Sequence, residues 1–147
     1  MIERCASIEQ PGWLSLRKQL WPDCSHEKHL AEMSSFLAEP SRYVQFVAYD
    51  GGGSPTGFAE AALRSDYVNG TSSSPVAFLE GIYVVSRLRR QGIAARLVVA
   101  VAEWAIAQGC RELASDALLD NELSQIFHKA LGFKETERVV FFCKSLR

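Results

Sequence analysis

A chain of 147 residues, 48% apolar and 22% charged, has the material for one domain around one hydrophobic core and too little for two. Sixteen basic against seventeen acidic side chains leave a formal net charge of −1. That excludes a global basic field for nucleic acid or an anionic membrane, and admits a cationic ligand only through a local acidic pocket.

In chain order, Ile2–Ala6 reads as a short strand. A helix is predicted from Pro11 to Leu20, with Pro11 at its start and Trp13, Leu14, Leu16, Leu20 and Trp21 in its pattern. A second helix is predicted over 25–38, with Ser25 as N-cap and Leu30, Met33, Phe36 and Leu37 as its apolar stripe. Tyr43–Tyr49 and Thr56–Leu63 read as a hairpin across the turn Asp50-Gly51-Gly52-Gly53-Ser54-Pro55. Ser65–Pro75 is a polar loop. Its Asp66-Tyr67-Val68-Asn69-Gly70 suits either ligand recognition or a solvated connection. Val76–Val85 is nearly continuously apolar, as a strand covered on both faces is. Gln91–Gln108 is the strongest helix, ended by Gly109. Glu112–Ala117 reads as a strand, Asn121–Leu131 as a helix closed by Gly132, and Phe133–Lys144 as β-rich. The order β-α-α-β-β-β-α-β-α-β predicts an α/β (α+β) layer fold with a mixed sheet and helices on its faces.

Four cysteines, Cys5, Cys24, Cys110 and Cys143, form no CxxC pair and no metal spacing with His. Reduced thiols in a cytoplasmic protein are the expectation, with no metal. The first residues carry no apolar h-region. The apolar stretch Ile93–Ala107 is broken by Arg96 and Glu103 and is too short to span a bilayer.

Two local patterns carry chemistry. The first is a strand, a short basic loop and a helix: Ile82-Tyr83-Val84-Val85, then Ser86-Arg87-Leu88-Arg89-Arg90-Gln91-Gly92-Ile93-Ala94. A helix N-terminus offers unpaired N–H groups and positive potential to a phosphate, and Gly92 permits close backbone approach. A solvated basic turn is the other reading of the same residues. Neither GxGxxG nor GxxxxGK[ST] occurs, so dinucleotide-binding and P-loop folds lose their support. The second pattern is Glu80, a carboxylate inside an apolar strand, which must be paired, hydrated or protonated. It reads either as a structural ion-pair partner or as a group facing a polar cleft. Gly81 beside it would permit a bulge that splays the strand.

Arg89-Arg90-Gln91-Gly92-Ile93-Ala94 resembles the (Q/R)-x-x-G-x-(G/A) motif of the GCN5-related N-acetyltransferases (GNAT), and sits, as theirs does, between a central strand and a long helix. Asn121 through Gly132-Phe133 resembles their Asn-led second cofactor helix. The similarity spans essentially residues 1–147 as a single N-acetyltransferase domain. It sharpens toward the aminoglycoside 6′-N-acetyltransferases at Lys18-Gln19-Leu20-Trp21-Pro22, Asp66–Gly70, Ser74-Pro75, Phe78–Val84, Ala114-Ser115-Asp116 and Glu135–Val139.

The resemblance implies a GNAT fold, whose central, mostly antiparallel sheet is splayed at the central strand. It implies acetyl-CoA as cosubstrate, an aminoglycoside as acceptor and a homodimer. The backbone of Ile82, Tyr83 and Val84 would pair with the pantetheine arm, and one of those N–H groups would stabilise the thioester oxyanion. Arg90, Gln91, Gly92, Ile93, Ala94 and Ala95 would hold the diphosphate, with Arg89 adding charge, and Asn121 would contact the pantetheine arm. Trp21, Tyr67, Glu80, Asp116 and Glu137 would line the acceptor pocket.

A polycationic acceptor needs carboxylates, and Glu80, Asp116 and Glu137 each lie on or beside a predicted strand. Transfer needs a neutral amine, so Glu80, directly or through a water, is the first expected base and Asp116 the second. Where many members of the wider family place a Tyr to protonate the leaving thiolate, this sequence has His128. His128 could donate, a water could, or the His could merely pack there. Two rivals remain at this level: the same chemistry on another small-molecule or protein amine, and a non-catalytic acetyl-CoA-binding module.

Overall fold

The computed structural model describes all of residues 1–147. The elements are β1 (Ile2–Arg4), α1 (Trp13–Leu20), α2 (His26–Leu37), β2 (Tyr43–Tyr49), β3 (Pro55–Arg64), β4 (Val76–Val84), α3 (Ile93–Ala107), β5 (Leu113–Ala114) and α4 (Glu122–Ala130). The strands form one sheet in the order β1-β2-β3-β4-β5, antiparallel through β4 and parallel between β4 and β5. This is the mixed, mostly antiparallel sheet the sequence predicts.

Alternation along β2 and β3 sorts the two faces. Val44, Ala48, Ala59 and Ala61 join Leu97, Val101 and Trp104 of α3 in one core. Val47, Tyr49 and Phe58 point to the other face, against Trp13 and Leu16 of α1 and Met33 of α2. Period-2 strands sandwiched between helices produce two apolar layers from one sheet. Local chemistry fixes the ends of the elements. Ser25 Oγ accepts from the Lys28 N–H at 3.1 Å and caps α2. Asp50 Oδ1 accepts from the N–H groups of Gly52 and Ser54, each at 2.9 Å, and closes the β2–β3 turn.

The side of the sheet facing α1 and α2 also holds a buried polar network. Arg17 Nη1 donates to both oxygens of Glu60 at 2.5 Å, and the Trp13 indole N–H donates to Glu60 Oε2 at 2.8 Å. Arg17 also pairs with Glu32 and donates through Nε to His29 Nδ1 at 3.1 Å. Arg17, His29 and Glu60 are all buried, and a charge taken from water must be paired in this way. Burial and the neighbouring Arg17 charge push the His29 imidazole below its ordinary range. Burial pushes the Glu60 carboxyl up, and Arg17 and Trp13 pull it back.

Two expectations need correction. The strand predicted over Glu112–Ala117 is only Leu113–Ala114. It pairs with β4 at Ala77 and Phe78 alone, because the two chains part beyond that point. The β-rich segment Phe133–Lys144 forms no strand. Its composition suits a sheet, but a strand exists only against a partner, and this chain offers none there. Phe141 and Phe142 are left 83% and 93% exposed.

Candidate active site at the splayed strands

The site begins with a register change. Across β3 and β4, Glu60 pairs with Gly81 and Ala61 with Leu79, so Glu80 is the extra residue of a β-bulge. The bulge turns its carboxylate out of the apolar layers. Glu80 Oε1 accepts from Arg64 Nη2 at 2.7 Å, whereas Oε2 has no partner within the protein. Both expected readings of Glu80 therefore hold together: it is ion-paired, and it faces a cleft. Gly81 is needed for space. A Cβ there would lie 2.5 Å from Cη2 of Trp21, whose ring occupies the position. Trp21 is held from behind by Phe58, edge to face at 5.8 Å, and by the Arg17 guanidinium 4.9 Å from its ring centre.

Because β5 leaves β4 after Ala114, a cleft of about 170 Å³ opens between them. Leu20, Trp21, Glu80, Gly81, Ile82, Asp116 and His128 are in its lining, so three of the five predicted acceptor-site residues, Trp21, Glu80 and Asp116, meet there with His128, the candidate thiolate donor. Tyr67 and Glu137 are not in the lining and are exposed. The segments that carry them do touch, since Thr136 packs against Gly70. A larger groove of about 580 Å³ lies between β1 and α3, away from every residue of the strand–loop–helix motif. Arg4, Arg96 and Glu103 are its charged lining, and none of the predicted site residues is among them.

The cofactor expectations fall on a continuous track. Beyond Leu79 the edge of β4 that faces away from β3 has no strand partner along Ile82, Tyr83 and Val84, and Ile82 borders the cleft. A short 3₁₀ turn, Ser86–Leu88, leads from β4 to α3. Arg89 folds back, donating through Nε to Val84 O at 2.9 Å and lying 5.4 Å from the Tyr83 ring centre. Arg90 and Gly92 both take positive φ, 65° and 81°. The first bond of α3 runs from the Arg96 N–H to Gly92 O, so the Ile93, Ala94 and Ala95 N–H groups have no intrahelical acceptor. A Cβ built on Gly92 meets nothing within 4 Å. Open backbone, unpaired donors and a helix dipole suit the diphosphate of a CoA ester. Asn121 is the N-cap of α4: its Oδ1 accepts from the Ser124 N–H at 3.1 Å, which leaves the side-chain NH₂ free.

Sequence reasoning missed the partners of these groups. Ser115 and Ser124 flank His128 in the cleft, and Arg64 ties down Glu80. Ser115 stood only inside a resembling segment, and neither Ser124 nor Arg64 carries a local signal, since each matters through a contact made by folding.

A splayed mixed sheet, a donor-rich turn leading into α3 and an acidic cleft at the gap together define an acyl-CoA-dependent transferase. The acetyltransferase (GNAT) family model matches residues 6–133. The chain belongs to that family, on the branch of the aminoglycoside N(6′)-acetyltransferases, as its relatives establish. The Serratia marcescens aminoglycoside N(6′)-acetyltransferase type 1 is 56% identical over 146 residues, 99% of each chain. The Acinetobacter baumannii protein of the same name is 51% identical over 135 residues, 91% of this chain and 90% of that one. Among solved structures, AAC(6′)-Iy in complex with the bisubstrate analogue CoA-S-monomethyl-acetylneamine superposes with a TM-score of 0.92 at 45% identity, covering 99% of this chain and 97% of that one. AAC(6′)-Ih from Acinetobacter baumannii gives a TM-score of 0.94 at 46% identity over 100% and 99% of the two chains.

Proposed function

We propose that this protein, as one N-acetyltransferase domain over residues 1–147, transfers the acetyl group of acetyl-CoA to the 6′-amino group of aminoglycoside antibiotics and so confers resistance to them. The observation that carries this reading is the acidic cleft between β4 and β5, lined by the same strand β4 that leads through the donor-rich turn into α3. At about 170 Å³ the cleft is smaller than the roughly 300–1,000 Å³ of a drug-sized ligand's pocket. It takes the aminomethyl end of one sugar ring, and the other rings lie across the open surface toward Tyr67 and Glu137.

The β4 edge at Ile82, Tyr83 and Val84 pairs with the pantetheine arm and brings a backbone N–H to the thioester oxygen, where negative charge develops. Arg90 through Ala95, with Arg89, hold the diphosphate, and the Asn121 side-chain NH₂ reaches the pantetheine arm. Trp21 supplies an apolar wall. Asp116 and Glu80 Oε2 accept hydrogens from the acceptor's ammonium groups, and Arg64 fixes the direction in which Glu80 points.

A homodimer in the cytoplasm completes the reading. Leu118, Leu119, Leu123 and Ile126, together with Val140, Phe141 and Phe142, are exposed apolar side chains, and exposed apolar surface of this kind suits an interface. A second copy is the occupant proposed for them. No helix is long and apolar enough to cross a membrane.

Thiol release from acetyl-CoA, measured with kanamycin-type and gentamicin-type aminoglycosides and with polyamines and a peptide amine, tests the acceptor. The reading expects turnover with aminoglycosides at low concentration. Equal or better turnover with polyamines would overturn it.

A further inference from the structure

Ser115 follows β5 immediately and stands where the sheet parts. Its Oγ is 2.7 Å from His128 Nε2, while the competing acceptor, Leu79 O, is 3.4 Å away. The other ring nitrogen, Nδ1, is 2.7 Å from the Ser124 carbonyl oxygen. A carbonyl only accepts, so Nδ1 carries the hydrogen, and Nε2 of the neutral ring is an acceptor. The direction of the short bond follows: the Ser115 hydroxyl donates to His128.

The ring is clamped as well as bonded. Phe133 meets it edge to face at 5.3 Å, and Phe127 at 6.2 Å. His128 lies in the last turn of α4. Ser115 and His128 line the same cleft as the two acceptor carboxylates, Glu80 and Asp116. Those carboxylates have the acceptor's ammonium groups to hold, and Arg64 already takes one oxygen of Glu80.

We propose that Ser115 and His128 form a proton relay that serves first as base and then as acid, with Ser115 Oγ touching the reacting atoms and His128 acting through it. The proposal rests on the acetyl transfer proposed above. The reacting amine enters as its free base, its ammonium proton already released to solvent; its nitrogen attacks the thioester carbonyl carbon, the C–N bond forms, and the carbonyl π pair moves to oxygen. The nitrogen's surplus proton passes to Ser115 Oγ as the hydroxyl hydrogen moves to His128 Nε2. The oxyanion's pair then re-forms the C=O bond as the C–S bond breaks and its electron pair leaves with sulfur. Nε2 then returns a proton to Ser115, and Ser115 delivers one to the thiolate. The proton lost by the amine ends on the thiol of CoA, and the relay is restored without an external acid or base.

The test uses the full chain, acetyl-CoA and kanamycin. Ser115→Ala should lower kcat by about 10²-fold or more, the usual worth of positioned acid–base catalysis, with the KM for acetyl-CoA within about threefold. Ser115→Thr, which keeps the hydroxyl, should recover most of the loss. Because the two groups act as one unit, Ser115→Ala with His128→Gln should be no slower than the slower single variant. A folded Ser115→Ala protein that binds acetyl-CoA and keeps kcat within about threefold would overturn the relay. So would losses that multiply in the double variant, or acetylation of Ser115 detected by mass spectrometry during turnover. The parent gives an independent check free of folding effects: single-turnover rates in H₂O–D₂O mixtures should bow with isotope fraction, since two hydrogens move, and a straight line would contradict the relay. A parent inactive on kanamycin would refute the acceptor and not the relay, which is read as the ratio of variant to parent on whichever amine the parent acetylates.

Discussion

Two glutamates in apolar strand sequence have opposite fates. Glu60 is buried against Arg17 and Trp13, while its neighbour across the sheet, Glu80, is turned out by the bulge into the cleft. Glu80→Gln keeps the size of the side chain and most of its hydrogen bonding and removes the charge. With Glu80 holding the acceptor and the proton travelling through Ser115, the KM for the aminoglycoside should rise by about tenfold or more and kcat fall by less than tenfold. Steady-state kinetics at saturating acetyl-CoA checks this. A kcat loss of about 10²–10⁴-fold that shrinks at high pH, where free amine is abundant, would make Glu80 the base instead. The anomaly of Glu80 was legible in the sequence because a lone carboxylate breaks the run Val76–Val85. Glu60 in Pro55–Arg64 carries the same signal, and sequence alone gives no sign that Arg17, 43 residues away, neutralises it.

At the scale of elements, the turn into α3 and the α1–α2 layer each carry a separate consequence. Gly92→Val puts a β-branched side chain at φ 81°, a strained backbone, and in the path of the diphosphate. Since a Cβ there touches nothing within the protein, no internal clash competes with that explanation. Calorimetry should show acetyl-CoA affinity reduced by about tenfold or more, with aminoglycoside affinity changed far less. Unchanged cofactor affinity in the folded variant would remove Gly92 from the binding turn. Behind the site, His29 lies below its ordinary value near 6.5, first through burial and then through the Arg17 charge. Between about pH 6.5 and that lower value the unfolded chain binds a proton that the folded chain refuses. Stability is therefore full above about pH 6.5 and is lost as pH falls through the folded value. Tm should drop on going from about pH 7.5 to about pH 5, and less so in His29→Gln. An equal drop in the variant would place the acid sensitivity elsewhere.

For the whole molecule, the helices and the four antiparallel strands were legible because each carries its own periodicity and caps: Ser25 and Asn121 at N-termini, Gly109 after α3. The turn into α3, proposed above to hold the diphosphate, was legible from one motif. The brevity of β5 was not, because it depends on where β4 bulges. Nor was the fate of Phe133–Lys144, whose β-rich composition says nothing about which chain supplies the partner. With Val140, Phe141 and Phe142 exposed, the proposed dimer should dissociate when 139–147 are deleted. Sedimentation of the deletion variant as a monomer is expected, and a parent that is itself monomeric would contradict the dimer. The central claim concerns where the acetyl group goes. Kanamycin incubated with the protein and acetyl-CoA, followed by mass spectrometry and NMR of the product, tests it most directly. The account predicts a single acetyl group on the 6′-nitrogen; acetylation at the 3-amino position, or no acetylated product at all, would contradict it.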